Sequence, residues 1–245
     1  GKFNFRASYA AGFRTPTLSE LYATDIAKKN DRLTIGNLDL KPEKNNYFSL
    51  SAEYVHERFS VSVNAFYNNI RDMIDYNTIA TGDKAMEQYG HKEVRQRDNI
   101  AEAKVHGINV SANAYLGAGF NLSGGYTHLN TQDVELEQPI DKSIKNAYNI
   151  NAQWAHSWKI YRLNINLNGR FNSKRFSKSY GYAPEYQLWD LNTRHSFNLK
   201  SVIIEPGCGI ENLFDYTDDR PYNSNYATLS PGRSFYISLS LKFKS

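Results

Sequence analysis

The stretch from Ser230 to Phe243 constrains this chain more than any other. From Arg233 onward it alternates, with Phe235, Ile237, Leu239, Leu241 and Phe243 on one parity and Ser234, Tyr236, Ser238, Ser240 and Lys242 on the other. Successive strand side chains point to opposite faces, so this is a strand with one apolar and one wet side. The pattern recurs ten times, over about 2–10, 45–55, 59–76, 94–116, 120–131, 147–155, 161–171, 186–199, 202–214 and 233–243. The segment after Tyr161 is the clearest internal example: Tyr161, Leu163, Ile165, Leu167, Gly169 and Phe171 oppose Arg162, Asn164, Asn166, Asn168 and Arg170. Such a polar row suits a water-filled lumen better than a protein core. The expected fold is all-β: an antiparallel transmembrane β-barrel with lipid outside and a polar interior.

The connections argue the same way independently. Long ones (11–44, 77–93, 132–145, 177–185 and 215–232) alternate strictly with tight ones (56–58, 117–119, 156–159 and 199–201). Outer-membrane barrels have long extracellular loops and short periplasmic turns. A soluble sandwich has no reason to sort its connections so. In the fourth strand Ala101, Ala103 and Val105 share one parity before Gly107, and Ile108, Val110 and Ala112 share the other after it, which predicts a β-bulge at Gly107.

Composition removes other classes. No run approaches the ~18 apolar residues of a membrane helix, and hydrophobic residues make up 40% of the chain. The 14% aromatic content, with 18 Tyr, fits two interfacial girdles. The net charge of +4 is spread out, with no basic block of the nucleic-acid kind, and a mildly positive lumen would favour anionic cargo. Cys208, the single cysteine, cannot form an internal disulfide, and its parity with Val202, Ile204 and Ile210 predicts a buried, inert thiol. The acidic loop Asp133, Glu135, Glu137 and Asp141 lacks the Gly turn and ligand spacing of a calcium loop and reads as a solvated face. No nucleophile elbow, HExxH, phosphate loop or CxxC is present, so no enzyme is expected.

The first long loop opens with Ala11-Gly-Phe-Arg-Thr-Pro-Thr-Leu-Ser-Glu-Leu-Tyr22 and closes with Gly36-Asn-Leu-Asp-Leu-Lys-Pro-Glu43. This resembles the paired FRAP and NPDL boxes, with the following KPE, of TonB-dependent outer-membrane receptors. Thr15 stands for the usual Ala, and Leu38 for the Pro whose fixed φ shapes the closing turn. Asn64 to Asp75, Asn99 to Val110, Glu211-Asn-Leu-Phe-Asp215 and the terminal aromatic strand are similar to further family signatures in the same order.

The resemblance implies that residues 1–245 are the C-terminal part of a 22-stranded barrel, with the plug, the earlier strands and the TonB-binding segment upstream. Both edges of this piece would then be unpaired, so alone it is not expected to transport anything. The resemblance also implies TonB-energised uptake of an iron chelate, siderophore or haem, as cargo, with cobalamin a rival cargo. A passive porin or secretion barrel shares the strand pattern. Expected partners are the TonB complex, outer-membrane lipid and a small-molecule metal chelate, without nucleic acid, resident cofactor or protein-bound metal. No His lies between the boxes, which disfavours haem ligation there and leaves Tyr22 and His91 as the nearest conventional ligands. Candidate cargo contacts are Arg14, Tyr22, His91, Tyr180, Tyr182, Tyr222 and Tyr226. Phe13, Arg14, Pro16, Asn37, Asp39, Leu40 and Glu43 form the expected loop-base motif.

Overall fold

The computed structural model describes residues 1–177, 181–218 and 232–244. In chain order the elements are β1 (Lys2–Arg14), α1 (Leu18–Tyr22), β2 (Thr24–Ala27), β3 (Arg32–Ile35), β4 (Glu43–Val55), β5 (Phe59–Thr81), α2 (Gly82–Tyr89), β6 (Glu93–Gly117), β7 (Phe120–Asp133), β8 (Asn146–Trp158), β9 (Tyr161–Asn172), β10 (Arg175–Ser177), β11 (Gly181–Ala183), β12 (Tyr186–Asn198), β13 (Val202–Glu211) and β14 (Ser234–Phe243). Ten of the strands form one meander in the order β1-β4-β5-β6-β7-β8-β9-β12-β13-β14, each antiparallel to the next. The sheet does not close: β1 and β14 are its two edges. These are the ten strands expected from periodicity. The short strands β2, β3, β10 and β11 belong to the long connections.

Register shows why the alternation matters. Phe5, Ala52, Val63, Val110, Tyr126, Tyr148 and Phe171 are successive cross-strand partners over seven strands. Leu167, Leu191, Ile210 and Phe235 continue the same face to the far edge. A one-residue slip anywhere would flip a strand's apolar set into the polar face, so the face itself specifies the register. Among the described residues nothing covers it; Ile237 is 88% exposed and Phe5 75%. A continuous apolar surface over ten strands far exceeds the few hundred Å² that soluble monomers tolerate, and it matches a lipid-facing wall.

The opposite face is polar and self-paired: Ser8 with Ser49 (2.6 Å), Ser62 with Ser111 (2.7 Å), and Asn151 donating to both Asn166 and Asn168 (2.6 Å each). The wall is one sheet thick, so among the described residues the buried hydrophobic cluster lies at the loop end. Ala80, Ala85 and Val94 are buried there, packed by Leu33, Ile35, Ile79 and Tyr89.

Three expectations need correction. The strand containing Gly107 stays in register with both neighbours across residues 103–114, and the irregularities lie further out: in β5 between Ile70 and Met73, where Asp72 takes φ 55°, and in β6 between Asn99 and Ala101. The parity change along β6 is a change of surroundings: a membrane strand needs about 9–11 residues, whereas β5 and β6 have 23 and 25. Their outer halves therefore stand clear of lipid, where apolar residues such as Ala103 turn inward. Gly107 is needed for close approach, because a Cβ there would lie 2.2 Å from the His128 carbonyl oxygen.

Secondly, Cys208 is on the apolar face but exposed, beside Thr193 and Ile237, because among the described residues nothing packs over that face. Thirdly, the connection after β5 is largely the helix α2, whose eight residues carry no alternation to announce it. On the lumen face Lys242 pairs with Glu205 (2.6 Å) and Arg170 lies 3.9 Å from Asp190.

Candidate functional site

The long connections gather at one end of the wall, and the paired boxes build their base. Pro16 precedes Thr17, the N-cap of α1, which closes a reciprocal capping box with Glu20: the Thr17 amide donates to Glu20 Oε2 (2.8 Å) and the Glu20 amide to Thr17 Oγ1 (3.3 Å). The two carboxylates that this geometry and β4 present, Glu20 and Glu43, converge on one guanidinium. Arg14 donates to Glu20 through Nη1 (2.9 Å) and Nη2 (3.1 Å) and to Glu43 through Nε (2.8 Å) and Nη2 (2.6 Å). Glu43 Oε1 also accepts from the Ile74 amide (2.9 Å), which ties the base to β5 beside its bulge. Four charge-assisted bonds on a planar fork fix the angle at which the loop leaves the wall.

The closing box forms its turn without the usual proline. Asn37 Oδ1 accepts from the Asp39 amide (2.9 Å), an Asx turn that stands in for the rigid φ missing at Leu38. The Asn37 amide donates to the Glu20 carbonyl (3.0 Å), so the two boxes join directly. Leu40 is half-buried and Phe13 faces outward, 76% exposed. Asn99, reached from β6, completes the clamp. It accepts from the Lys41 amide (2.7 Å) and donates to the carbonyls of Lys41 (2.9 Å) and Asp72 (2.6 Å). Sequence reading placed Asn99 in a family-like segment without a role, because its partners lie 27 and 58 positions away.

Further out, β2 and β3 pair as a hairpin, and β3 runs parallel to the start of β6. His91 does not stand free in its loop. Its Nδ1 lies 2.9 Å from Asp31 Oδ1 at the hairpin tip, and the Lys92 amide donates to the Asp31 carbonyl (3.0 Å). His91 thus joins two loops, and its partnership holds the Asp31 carboxyl below its usual range.

Tyr22 ends α1 with 67% exposure, and Tyr182 stands 56% exposed in the β10–β11 hairpin, edge-on to Phe176 (5.3 Å). Tyr180, Tyr222 and Tyr226 lie outside the described residues. Among the described residues no three His, Cys, Asp or Glu side chains gather in a metal-binding group. A pair that periodicity could not disclose lies between β5 and β6: the Arg97 guanidinium sits 3.6 Å above the centre of the Tyr76 ring. The pair stands beyond the register shifts of β5 and β6, at the level of the long loops.

The segment Glu211 to Asp215 is a loop anchor. Asn212 leaves the strand at φ 53°; its amide donates to Asp190 Oδ1 (2.9 Å), and its side chain exchanges hydrogen bonds with the Tyr216 backbone (2.7 and 2.8 Å). This turn ends β13 at Glu211, earlier than alternation alone predicts.

The Arg14 hydrogen bonds lower the Glu20 pKa from 4.5 to about 2. A carboxylate depressed in the folded state contributes stability above its unfolded pKa and loses it as pH falls towards the folded one. The loop base should therefore hold above about pH 5 and loosen between about pH 4.5 and 2. Hydrogen exchange at the Leu21 and Asn37 amides, corrected for intrinsic rates, reports it. Equal protection at pH 5 and pH 2, or an unchanged pH dependence in Glu20→Gln, would contradict this account.

The family model described as TonB dependent receptor-like, beta-barrel, matches residues 2–213. Among solved structures, a mutant of the ferric enterobactin receptor PfeA from Pseudomonas aeruginosa aligns over 99% of this chain and 38% of its own, with TM-score 0.76 and 20% identity. The siderophore receptor PirA from the same organism aligns over 99% and 40% (TM-score 0.66, 16% identity). The ferric preacinetobactin receptor BauA from Acinetobacter baumannii aligns over 99% and 34% (TM-score 0.69, 17% identity). The chain thus spans well under half the length of each.

Proposed function

Because the chain belongs to the TonB dependent receptor-like β-barrel family, we propose that the full-length protein takes up a ferric siderophore across the outer membrane, energised by the TonB complex. This chain would supply the C-terminal barrel wall and several cargo-facing loops, with the plug and the TonB contact in the rest of the protein. The observation that favours a siderophore is the Arg97–Tyr76 pair: a cation stacked on an aromatic ring, at the loop level of the wall, suits an anionic aromatic chelate. Haem is less well served, since no His lies between the boxes and His91 is engaged with Asp31. Named relatives bind such cargo: one PfeA mutant is described in complex with enterobactin.

The test is titration of the full-length receptor in detergent with a ferric catecholate, haemin and cobalamin, followed by intrinsic Tyr/Trp fluorescence. Saturable binding of the ferric catecholate, weakened about tenfold by Arg97→Ala, is expected. Binding of haemin or cobalamin alone, or ion conductance in planar bilayers with no binding, would overturn the reading.

A further inference from the structure

The tight-turn end of the wall carries a charge pattern that the transport reading does not use. Residues 1–2, 56–58, 117–119, 159–160, 199–201 and 244 form this rim, and they hold five cations, Lys2, Arg58, Lys159, Lys200 and Lys244, against one carboxylate, Glu57. That excess equals the chain's whole formal net charge of +4, so the remainder of the chain is neutral. At the long-loop end cations meet carboxylates, in Arg14 with Glu20 and Glu43, Lys44 with Asp72 and Arg95 with Glu93. Among the described residues none of the five rim cations makes a salt bridge. Lys244 Nζ donates to neutral acceptors, Asn198 Oδ1 (2.5 Å) and the Leu199 carbonyl (2.7 Å).

The rim lies next to an aromatic band on the apolar face. Trp158 stacks on Tyr161 (5.5 Å), Tyr161 packs on Phe197 (5.0 Å), and Phe243, at the same end of β14, is 81% exposed. Such aromatics mark the headgroup level of a bilayer. Two of the turns also present an apolar foot next to the cation: Ile160 (57% exposed) adjoins Lys159, and Leu199 (40% exposed) adjoins Lys200. That arrangement anchors the turn in the acyl boundary and leaves the ammonium group at phosphate depth.

We infer that the tight-turn rim is a binding collar for anionic phospholipid headgroups of the periplasmic leaflet, with phosphatidylglycerol as the chemical type. The inference rests on the outer-membrane reading. It assigns the unpaired charge a partner that the lipid-facing band brings to it, and it makes the attraction sensitive to salt, since exposed charges are screened.

The experiment places the full-length receptor in phosphatidylcholine vesicles with spin-labelled phosphatidylglycerol or phosphatidylcholine and measures the immobilised fraction of each. A preference of about threefold or more for phosphatidylglycerol is expected. It should fall by at least half in R58Q/K159Q/K200Q and in high salt, and persist in K159R/K200R. Equal immobilisation of the two lipids, or a preference that the triple variant keeps in full, overturns the collar while leaving the membrane reading intact. Failure of the wild-type receptor to enter lipid overturns both.

Discussion

Leu167→Arg is expected to destabilise the full-length receptor in a bilayer by about 2–4 kcal/mol, the cost of a lipid-facing cation near the midplane. Leu167 lies between the two aromatic levels of β9, marked by Tyr161 and Phe171, and its cross-strand partners Ala152 and Leu191 are apolar. The adjacent residue supplies the control at the same depth. Asn166 faces the lumen and accepts one hydrogen bond from Asn151, so Asn166→Arg should cost no more than about 1 kcal/mol. Denaturant unfolding from lipid vesicles compares the two. Equal losses would mean that both faces of the wall are similarly solvated, and the lipid-facing assignment would fail.

The second large effect is expected in the loops. Val94 has no exposure and is packed by Ala80, Ala85, Leu33 and Ile35 from three separate segments. Val94→Asp buries a carboxylate without a partner, which costs several kcal/mol unless the site opens. The wall is held by an independent ladder, so the loop core should open locally while the barrel persists. Hydrogen exchange in β2, β3 and α2 should rise by at least an order of magnitude with β8 and β9 unchanged, and affinity for the ferric catecholate should fall. Unchanged protection in β3 would show that Val94 does not hold the loops together.

Both predictions separate what was legible in the sequence from what was not. The lipid face, the ten wall strands and the sorting of long loops from tight turns follow from period-2 alternation and turn spacing, which are local signals. Where alternation met another environment it misled. The apolar parity at Ala103 and Val105 reads as a bulge at Gly107, but the strand has left the membrane there, and the register shifts lie further out, around Asp72 of β5 and between Asn99 and Ala101 of β6. Cys208 was placed on the correct face, yet among the described residues nothing lies over that face, so a parity that means burial in a soluble domain means exposure here.

By itself the sequence determined a ten-strand wall with one apolar and one polar side, because each strand's fate is written in its own alternate residues. The tertiary structure alone decided which loops touch. Arg14 meets Glu43 across 29 positions, Lys41 meets Asn99 across 58 and His91 meets Asp31 across 60, and no periodicity links such partners. It alone also collected the scattered net charge onto one rim, because a meander returns every second connection to the same end of the wall.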